Sequence, residues 1–254
     1  MQSRKIKRSP AERIGYAILL IVLTLLAITI IYPFVNMIAI SLSETSAVRS
    51  GSITLLPQVF RGGKYRVGAT WEAYKMVASN RAIYLGYFNT IKVCLITCAL
   101  SLLLTSFAAY PMAFSNIRFK KLYTQYIVVT MWFSAGTVPN YMVIRQLGLI
   151  DSHWALILCT LLSAYNIIIM RGFFYGIPKS IVESAKIDGA NDFVILFGMI
   201  LPNSGPILAT IGLWIVVGQW NQYQNPLLYI ESDGKRVLQQ VLASVIGSAG
   251  SEAS

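Results

Sequence analysis

Apolar residues in this chain run in long unbroken stretches and do not alternate with polar ones. The first extends from about Ile14 to Ile40, and others cover about 82–114, 122–147, 152–170 and 206–230. A helix of about 18 apolar residues is long enough to cross roughly 30 Å of hydrocarbon. The pattern predicts an all-α polytopic membrane protein with five spans, a polar tail over 1–13 and one membrane domain over 14–254. Pro33 inside the first span is tolerated, because neighbouring helices can satisfy the backbone groups it frees. That first run is too long for the roughly 7–15-residue core of a cleavable signal, and it reads as a retained span.

The polar segments set the expected orientation. Arg4, Lys5, Lys7, Arg8 and Arg13 precede the first span, which favours a cytoplasmic N-terminus. Alternation then places 41–81 outside and 171–205 inside. Arg118, Lys120 and Lys121 mark one inner turn, and Arg171, Lys179 and Lys186 mark the next. The outer segment opposes the rule, since it holds Arg49, Arg61, Lys64, Arg66, Lys75 and Arg81. Gly51, Pro57, Gly62 and Gly63 signal turns there, and Trp71 to Val77 reads as a short amphipathic patch. Five spans from an inner start leave the small, polar tail Gly247 to Ser254 outside.

Composition narrows the class. Charged residues make up 12% of the 254 and apolar ones 56%, with mean hydropathy +0.61. A soluble domain carries about twice that charged share. The net charge of +11 is scattered between apolar runs, where it meets lipid headgroups, so nucleic acid is not an expected partner. Cys94, Cys98 and Cys159 lie in apolar stretches and read as small hydrophobes, without disulfide or redox chemistry. His153 is the single histidine, so no histidine-rich metal cluster is possible. No phosphate-binding Gly-x-x-x-x-Gly-Lys loop, paired-carboxylate or Ser/His constellation occurs, so no enzymatic activity, cofactor or metal is expected.

One polar segment stands apart. Ser180 three residues before Glu183 has the form of a capping box that opens a helix. Ile181, Val182, Ala185 and Ile187 give that helix an apolar side. Asp188-Gly189 breaks it, and Asn191 or Asp192 caps a second helix over Phe193 to Leu201, halted by Pro202, Asn203, Gly205 and Pro206. Two short helices at a bend suit insertion into a partner's groove. They suit equally a hairpin lying on lipid.

Glu183-Ser184-Ala185, Gly189 and Leu201-Pro202 resemble the EAA loop by which bacterial ABC-importer permeases dock on their ATPase, with Ser184 replacing the usual middle alanine and Met199 standing where isoleucine is common. Asn89-Thr90, Tyr110-Pro111-Met112-Ala113-Phe114, Trp220-Asn221 and Asn225-Pro226-Leu227-Leu228 are similar to the carbohydrate-uptake branch. Within it they resemble the second of the paired permeases, the counterpart of the inner maltose-permease subunit. The resemblance implies a multi-pass protein of the bacterial cytoplasmic membrane. Its implied partners are a second permease in a heterodimer, an ATP-binding cassette ATPase dimer and an extracytoplasmic solute-binding protein. Glu183, Ser184, Ala185, Asp188, Gly189, Ala190, Leu201 and Pro202 are the implied ATPase-docking residues. It also implies a sixth span and a short cytoplasmic tail after the position where this sequence stops, so the expected bundle has five spans present and the sixth absent.

The spans hold few ionisable groups. Lys92, Arg145 and Arg171 fall near span ends, where long side chains snorkel, which weighs against an ion-coupled carrier. Tyr141, Tyr165, Asn166, Trp220, Asn221 and Tyr223 are candidates for the solute pathway, since amides and flat aromatic faces suit sugars. Taken one at a time, these residues are better explained by interhelical hydrogen bonds and an interfacial aromatic belt. The expected function is ATP-driven import of a sugar or oligosaccharide. A non-transporting scaffold or assembly factor and an ion-coupled carrier are the alternatives from other classes. The basic outer loop Arg61 to Arg66 fits an anionic ligand or an acidic binding protein alike.

Overall fold

The computed structural model describes residues 10–51, 53, 55–115 and 118–251. The tail residues Arg4, Lys5, Lys7 and Arg8 and the last residues, 252–254, lie outside them. The chain divides into two compact units, Met1–Asn80 and Arg81–Ser254, where the sequence pattern predicts one domain after residue 13.

The first unit opens with α1 (Pro10–Ser41), whose side chains are exposed on every face from Glu12 to Val35. A helix apolar all round is buried by a surrounding protein core or by lipid. Past its end come α2 (Thr45–Arg49), strands β1 (Gln58–Arg61) and β2 (Lys64–Val67), and α3 (Glu72–Ser79). The antiparallel hairpin turns at Gly62 and Gly63, with φ of 60° and 80°. Two central residues at positive φ match the twist of the flanking strands, and glycine takes that geometry without strain. Glu44 ties the hairpin to α2: its amide donates to Gln58 O (3.0 Å), and its Oε2 accepts from Phe60 N (2.8 Å).

The second unit is built around α4 (Arg81–Phe114). Small residues recur along its buried face at Gly86, Thr90, Cys94, Thr97, Ser101, Thr105, Ala109 and Ala113. Spacings of three and four keep them on one stripe, and small side chains let neighbouring backbones approach closely in lipid. Against that stripe pack α7 (His153–Thr160), α8 (Ala164–Tyr175), α11 (Gly205–Trp220) and α13 (Leu238–Ser251). Cys98 Sγ contacts Gly212 O at 3.8 Å and Cys94 Sγ contacts Val216 O at 3.9 Å, and all three cysteines are free thiols. Three core clusters follow α4. Ile83 packs with Leu238 and Val241, Val93 with Ile144, Leu156 and Tyr229, and Ala109, Tyr110 and Ala113 with Met170, Phe174 and Ile211.

Several predicted spans are interrupted. The stretch expected at 122–147 is α5 (Lys120–Thr130) and α6 (Thr137–Gln146), separated by 131–136 with Gly136 at φ 83°. The stretch at 152–170 is α7 and α8, bent by 53°. The last one does not start at Pro206. Helical residues Asp192–Ile200 continue into Pro202–Trp220 with a 44° bend, and α12 (Gln224–Tyr229) is separate. By length and composition, Glu12–Ser41 and Arg81–Phe114 can each cross a membrane alone, and each bent pair can supply one more span. The sequence pattern placed no element after Ile230, yet α13 forms there.

Gly86 shows how tightly α13 sits. A Cβ at this position meets Leu238 Cα at 3.1 Å and Leu238 N at 3.3 Å, and that amide is bonded to Thr90 Oγ1 at 2.9 Å. Gly172, within α8, has open space. Gly86→Leu is expected to destabilise the purified protein by about 1–3 kcal/mol, the cost of overpacking. Gly172→Leu is expected to gain up to about 1 kcal/mol through helix propensity. Thermal unfolding in detergent reads both, and equal effects would show that α13 does not rest on α4 at Gly86.

Candidate functional site

The reversal expected near Gly189 is present. Helix α9 (Lys179–Ile187) ends on Asp188, and Gly189 takes φ 82°. Ala190 N donates to Ala185 O (2.9 Å) and Gly189 N to Lys186 O (3.1 Å), the paired bonds of a left-handed helix cap. A Cβ on Gly189 would meet nothing within 4 Å, so backbone conformation and not space selects glycine. Asn191 opens α10 (Asp192–Ile195), its Oδ1 accepting from Val194 N at 2.9 Å.

Three sequence expectations are corrected here. The capping box does not form: Pro178 is the N-cap, without a side-chain bond, and Ser180 lies inside α9. Proline's fixed φ lets the helix start directly behind it, two residues early. Ile187 does not share the apolar side, because it lies about half a turn from Val182 and Ala185. Those two are buried, whereas Ile187 is 86% exposed. Pro202 does not halt the second helix. Leu201 N reaches back to Leu196 O (2.9 Å), so Leu196–Ile200 forms a π turn that absorbs the proline and bends the chain into α11.

The reversal is clamped to the C-terminal end of α4. Tyr110 OH donates to Asp192 Oδ1 at 2.9 Å, and Lys186 Nζ pairs with the same oxygen at 3.2 Å. Tyr175 OH donates to Met112 O (3.1 Å) and accepts from Arg171 (2.9 Å). Lys120 Nζ donates to Ala113 O at 3.1 Å, a cation at a helix C-terminus where the backbone carbonyls are unpaired. Of the predicted docking residues, Glu183, Ser184, Asp188, Gly189 and Pro202 are exposed. Ala185 is buried, and Ala190 and Leu201 pack against the core. Phe193 and Val194 are exposed apolar groups beside Ile187, and sequence periodicity did not single them out as such.

Residues 85–249 match the model of the family described as binding-protein-dependent transport system inner membrane component. The chain belongs to this family. It is 36% identical over 224 residues to the polygalacturonan/rhamnogalacturonan transport system permease protein YtcP of Bacillus subtilis (strain 168), covering 88% of this chain and 75% of that protein. It is 27% identical to the lactose transport system permease protein LacG of Rhizobium radiobacter, covering 91% and 81%. Among solved structures it superposes on a chain of a bacterial ABC transporter involved in the import of the acidic polysaccharide alginate. That match has TM-score 0.87 and 31% identity, over 96% of this chain and 84% of that one.

Within this inner membrane component, the six solute-pathway candidates separate. Tyr165 and Asn166 line one open cleft of about 430 Å³ with Thr160, Trp214, Gly218 and Gln219. The Tyr165 and Trp214 rings lie 5.8 Å apart, and Thr160 Oγ1 donates to Gln219 Oε1 at 2.9 Å. The cleft sits at the α7–α8 break, where Ser163 Oγ caps Asn166 N at 3.4 Å. Irregular backbone at membrane depth is tolerated where it is buried in protein or lines a water-filled cavity. The other four lie elsewhere. Tyr141 stacks on Tyr229 at 6.1 Å, Trp220 packs near Tyr87 at 6.1 Å, Asn221 Nδ2 bonds Val217 O, and Tyr223 is exposed. Thr160 and Trp214 had no sequence signal, since only the fold brings them to Asn166.

The N-terminal half of α4 holds a second network that sequence did not reveal. Asp151, at φ 57°, accepts from Ser232 Oγ (2.6 Å), Lys235 Nζ (2.7 Å), Ser232 N (2.9 Å) and Glu231 N (3.1 Å). Asn89 Nδ2 donates to Gly234 O (3.0 Å) and Arg236 O (2.9 Å). The loop 230–237 is thus pinned from two sides. Lys235 and then Ser232 hold the Asp151 carboxyl well below the usual carboxylate range. A depressed folded pKa means that this anchoring is fully present above the ordinary value of about 3.9 and is lost as pH falls through the lower folded one. Asp151→Ala is therefore expected to abolish hydrogen-exchange protection of the Glu231 and Ser232 amides at pH 7. In the wild type the same protection is expected to persist to well below pH ~4. Protection unchanged in the variant would show that the carboxylate does not anchor this loop.

Proposed function

We propose that this family member is one of two transmembrane subunits of an ATP-driven importer that moves a sugar or oligosaccharide across the bacterial cytoplasmic membrane. The observation that carries this is the α9–α10 reversal, which offers Glu183, Ile187, Asp188 and Phe193 outward while its inner face joins the core around α4. An exposed apolar anchor flanked by charges suits a partner's groove. The partner is an ATPase dimer, and a second permease and an extracytoplasmic solute-binding protein complete the assembly. The names of the relatives above support a carbohydrate solute.

In this reading the N-terminus and the 171–205 segment are cytoplasmic, and 41–81 is external. Closure of the ATPases on ATP displaces α9. Val182 and Ala185, together with the Tyr110–Asp192–Lys186 bonds, carry that displacement into α4, α8 and α11. The cleft at Thr160, Tyr165, Asn166 and Gln219 lies between α7, α8 and α11 and supplies hydroxyl, amide and aromatic groups to a solute. A rigid loop matters here because a soft one would absorb the stroke.

Co-purification with the ATPase and ATP-dependent uptake in proteoliposomes test the assignment. Ile187→Glu is expected to leave insertion intact and weaken ATPase association by about tenfold, the loss of one buried apolar anchor. Gly189→Val, forced toward left-handed geometry, is expected to do the same and to abolish uptake. Normal uptake by either variant at normal expression would remove the docking role. In a background with Cys94, Cys98 and Cys159 replaced by Ala, Ser46→Cys is expected to react with an impermeant thiol reagent from outside. Ser180→Cys is expected to react only after permeabilisation. The reverse labelling would overturn the orientation.

A further inference from the structure

The proposed function leaves the class of carbohydrate open, and a second cleft bears on it. It holds about 430 Å³ and is lined by Lys92, Val93 and Ile96 of α4, Asp151, Ser152, His153, Trp154 and Ile157 around the start of α7, and Lys235. Ligand sites usually occupy roughly 300–1,000 Å³. The two clefts lie at opposite ends of α7: this one at His153 and Trp154, the Tyr165–Asn166 cleft at Thr160.

The charges in this cleft are unbalanced. Two lysines face one carboxylate, and that carboxylate is already occupied by Lys235, by the Ser232 hydroxyl and by two backbone amides. Lys92, exposed in the cleft wall, has no ion pair or hydrogen bond among the described residues. It lies about 16 Å along α4 from Arg81, at 1.5 Å per residue, and so not at the span end where the sequence pattern put it. A cation this far into an apolar helix that faces a cavity marks a ligand path more often than a structural one.

Its neighbours define the ligand further. Trp154 is 50% exposed and offers a flat apolar ring. His153 Nε2 lies 2.8 Å from Lys235 O. A carbonyl oxygen only accepts, so Nε2 donates to it, and in the neutral form of the ring Nδ1 is left to accept from a hydroxyl. A cation, an aromatic face and a hydroxyl acceptor in one concavity match a sugar ring bearing a carboxylate.

The geometry points to a uronate-recognition site formed by Lys92, His153 and Trp154, which receives an acidic oligosaccharide at the extracytoplasmic end of α7 before it reaches the neutral cleft at Thr160 and Asn166. This rests on the carbohydrate-importer reading. Lys92 pairs with the solute carboxylate, Trp154 stacks on the ring, and His153 Nδ1 accepts a ring hydroxyl.

The test uses the assembled importer with its binding protein in proteoliposomes, with digalacturonate and a neutral disaccharide as probes. Lys92→Gln is expected to reduce ATP-dependent digalacturonate uptake by about tenfold, the value of one charge-assisted hydrogen bond. Lys92→Arg is expected to restore most of it. The concentration of binding protein that half-stimulates the ATPase should stay unchanged in both. Unchanged digalacturonate uptake in Lys92→Gln overturns the site. A raised half-stimulating concentration also overturns it, because Lys92 then contacts an acidic side chain of the binding protein and not the solute. A wild-type importer that takes up only the neutral disaccharide overturns the uronate assignment and leaves the carbohydrate reading standing. ATP-dependent uptake of neither probe or of any other carbohydrate would overturn that reading, and this site with it.

Discussion

Everything in the second unit depends on how closely other helices approach α4. In lipid, exchanging hydrocarbon contacts for side-chain contacts gains little, so association rests on packing and on the distance at which backbones can meet. The stripe from Gly86 to Ala113 supplies that distance along the whole helix. Its chemistry is secondary to its size: Thr97, Ser101 and Thr105 are buried with no hydrogen-bond partner for their hydroxyls among the described residues. An unpaired buried hydroxyl carries a desolvation cost, offset only where close packing returns more. Because α4 also holds Asn89 near one end and Tyr110 near the other, one helix joins the pinned 230–237 loop to the α9–α10 reversal.

The helices around α4 are broken where α4 is whole. α5 and α6 are separated at 131–136, α7 and α8 bend by 53°, and the run into α11 bends by 44° at Pro202. Each break frees backbone groups that protein must satisfy, and local devices do so. Ser152 and Ser163 cap the helices they precede, and the π turn carries the chain past Pro202. A continuous helix beside segmented neighbours gives a fixed reference against which short rigid pieces can shift. The Tyr165–Asn166 cleft falls at one of these breaks, where groups other than apolar side chains reach the surface.

Sequence pattern made much of this legible, and where it failed the reasons are physical. The long apolar helices, the positive-φ glycine at 189 and the Asn191 cap follow from local rules that tertiary contacts did not override. Ser180-x-x-Glu183 has the spacing of a capping box but lost to Pro178, whose φ was already set for a helix start. Ile187 was assigned to the wrong face because four apolar residues in seven invite one stripe, though their angles do not close on it. Asn89-Thr90 and Tyr110 were visible as family-like pairs without a role. Their partners, Gly234, Leu238 and Asp192, lie 145, 148 and 82 residues away. Asp151 carried no sequence signal for the same reason, its anchors standing about eighty residues downstream.

The charge pattern that opposes the proposed orientation falls on different kinds of structure. Positive residues orient a membrane protein when they flank spans in short loops, whereas folded segments translocate with little regard to charge. Arg61, Lys64 and Arg66 sit on the β1–β2 hairpin, where exposed cations also discourage pairing with a further strand. Lys120, Arg171, Lys179 and Lys186 instead lie at or beside helix ends on the side of the reversal. Lys120 and Arg171 gather over the Tyr175 ring at 5.3 and 5.0 Å. The basic residues of the first unit's polar segment and those of the inner turns are therefore not equivalent votes. Lys179 and Lys186 lie on α9 itself, the helix that also carries the exposed Ile187.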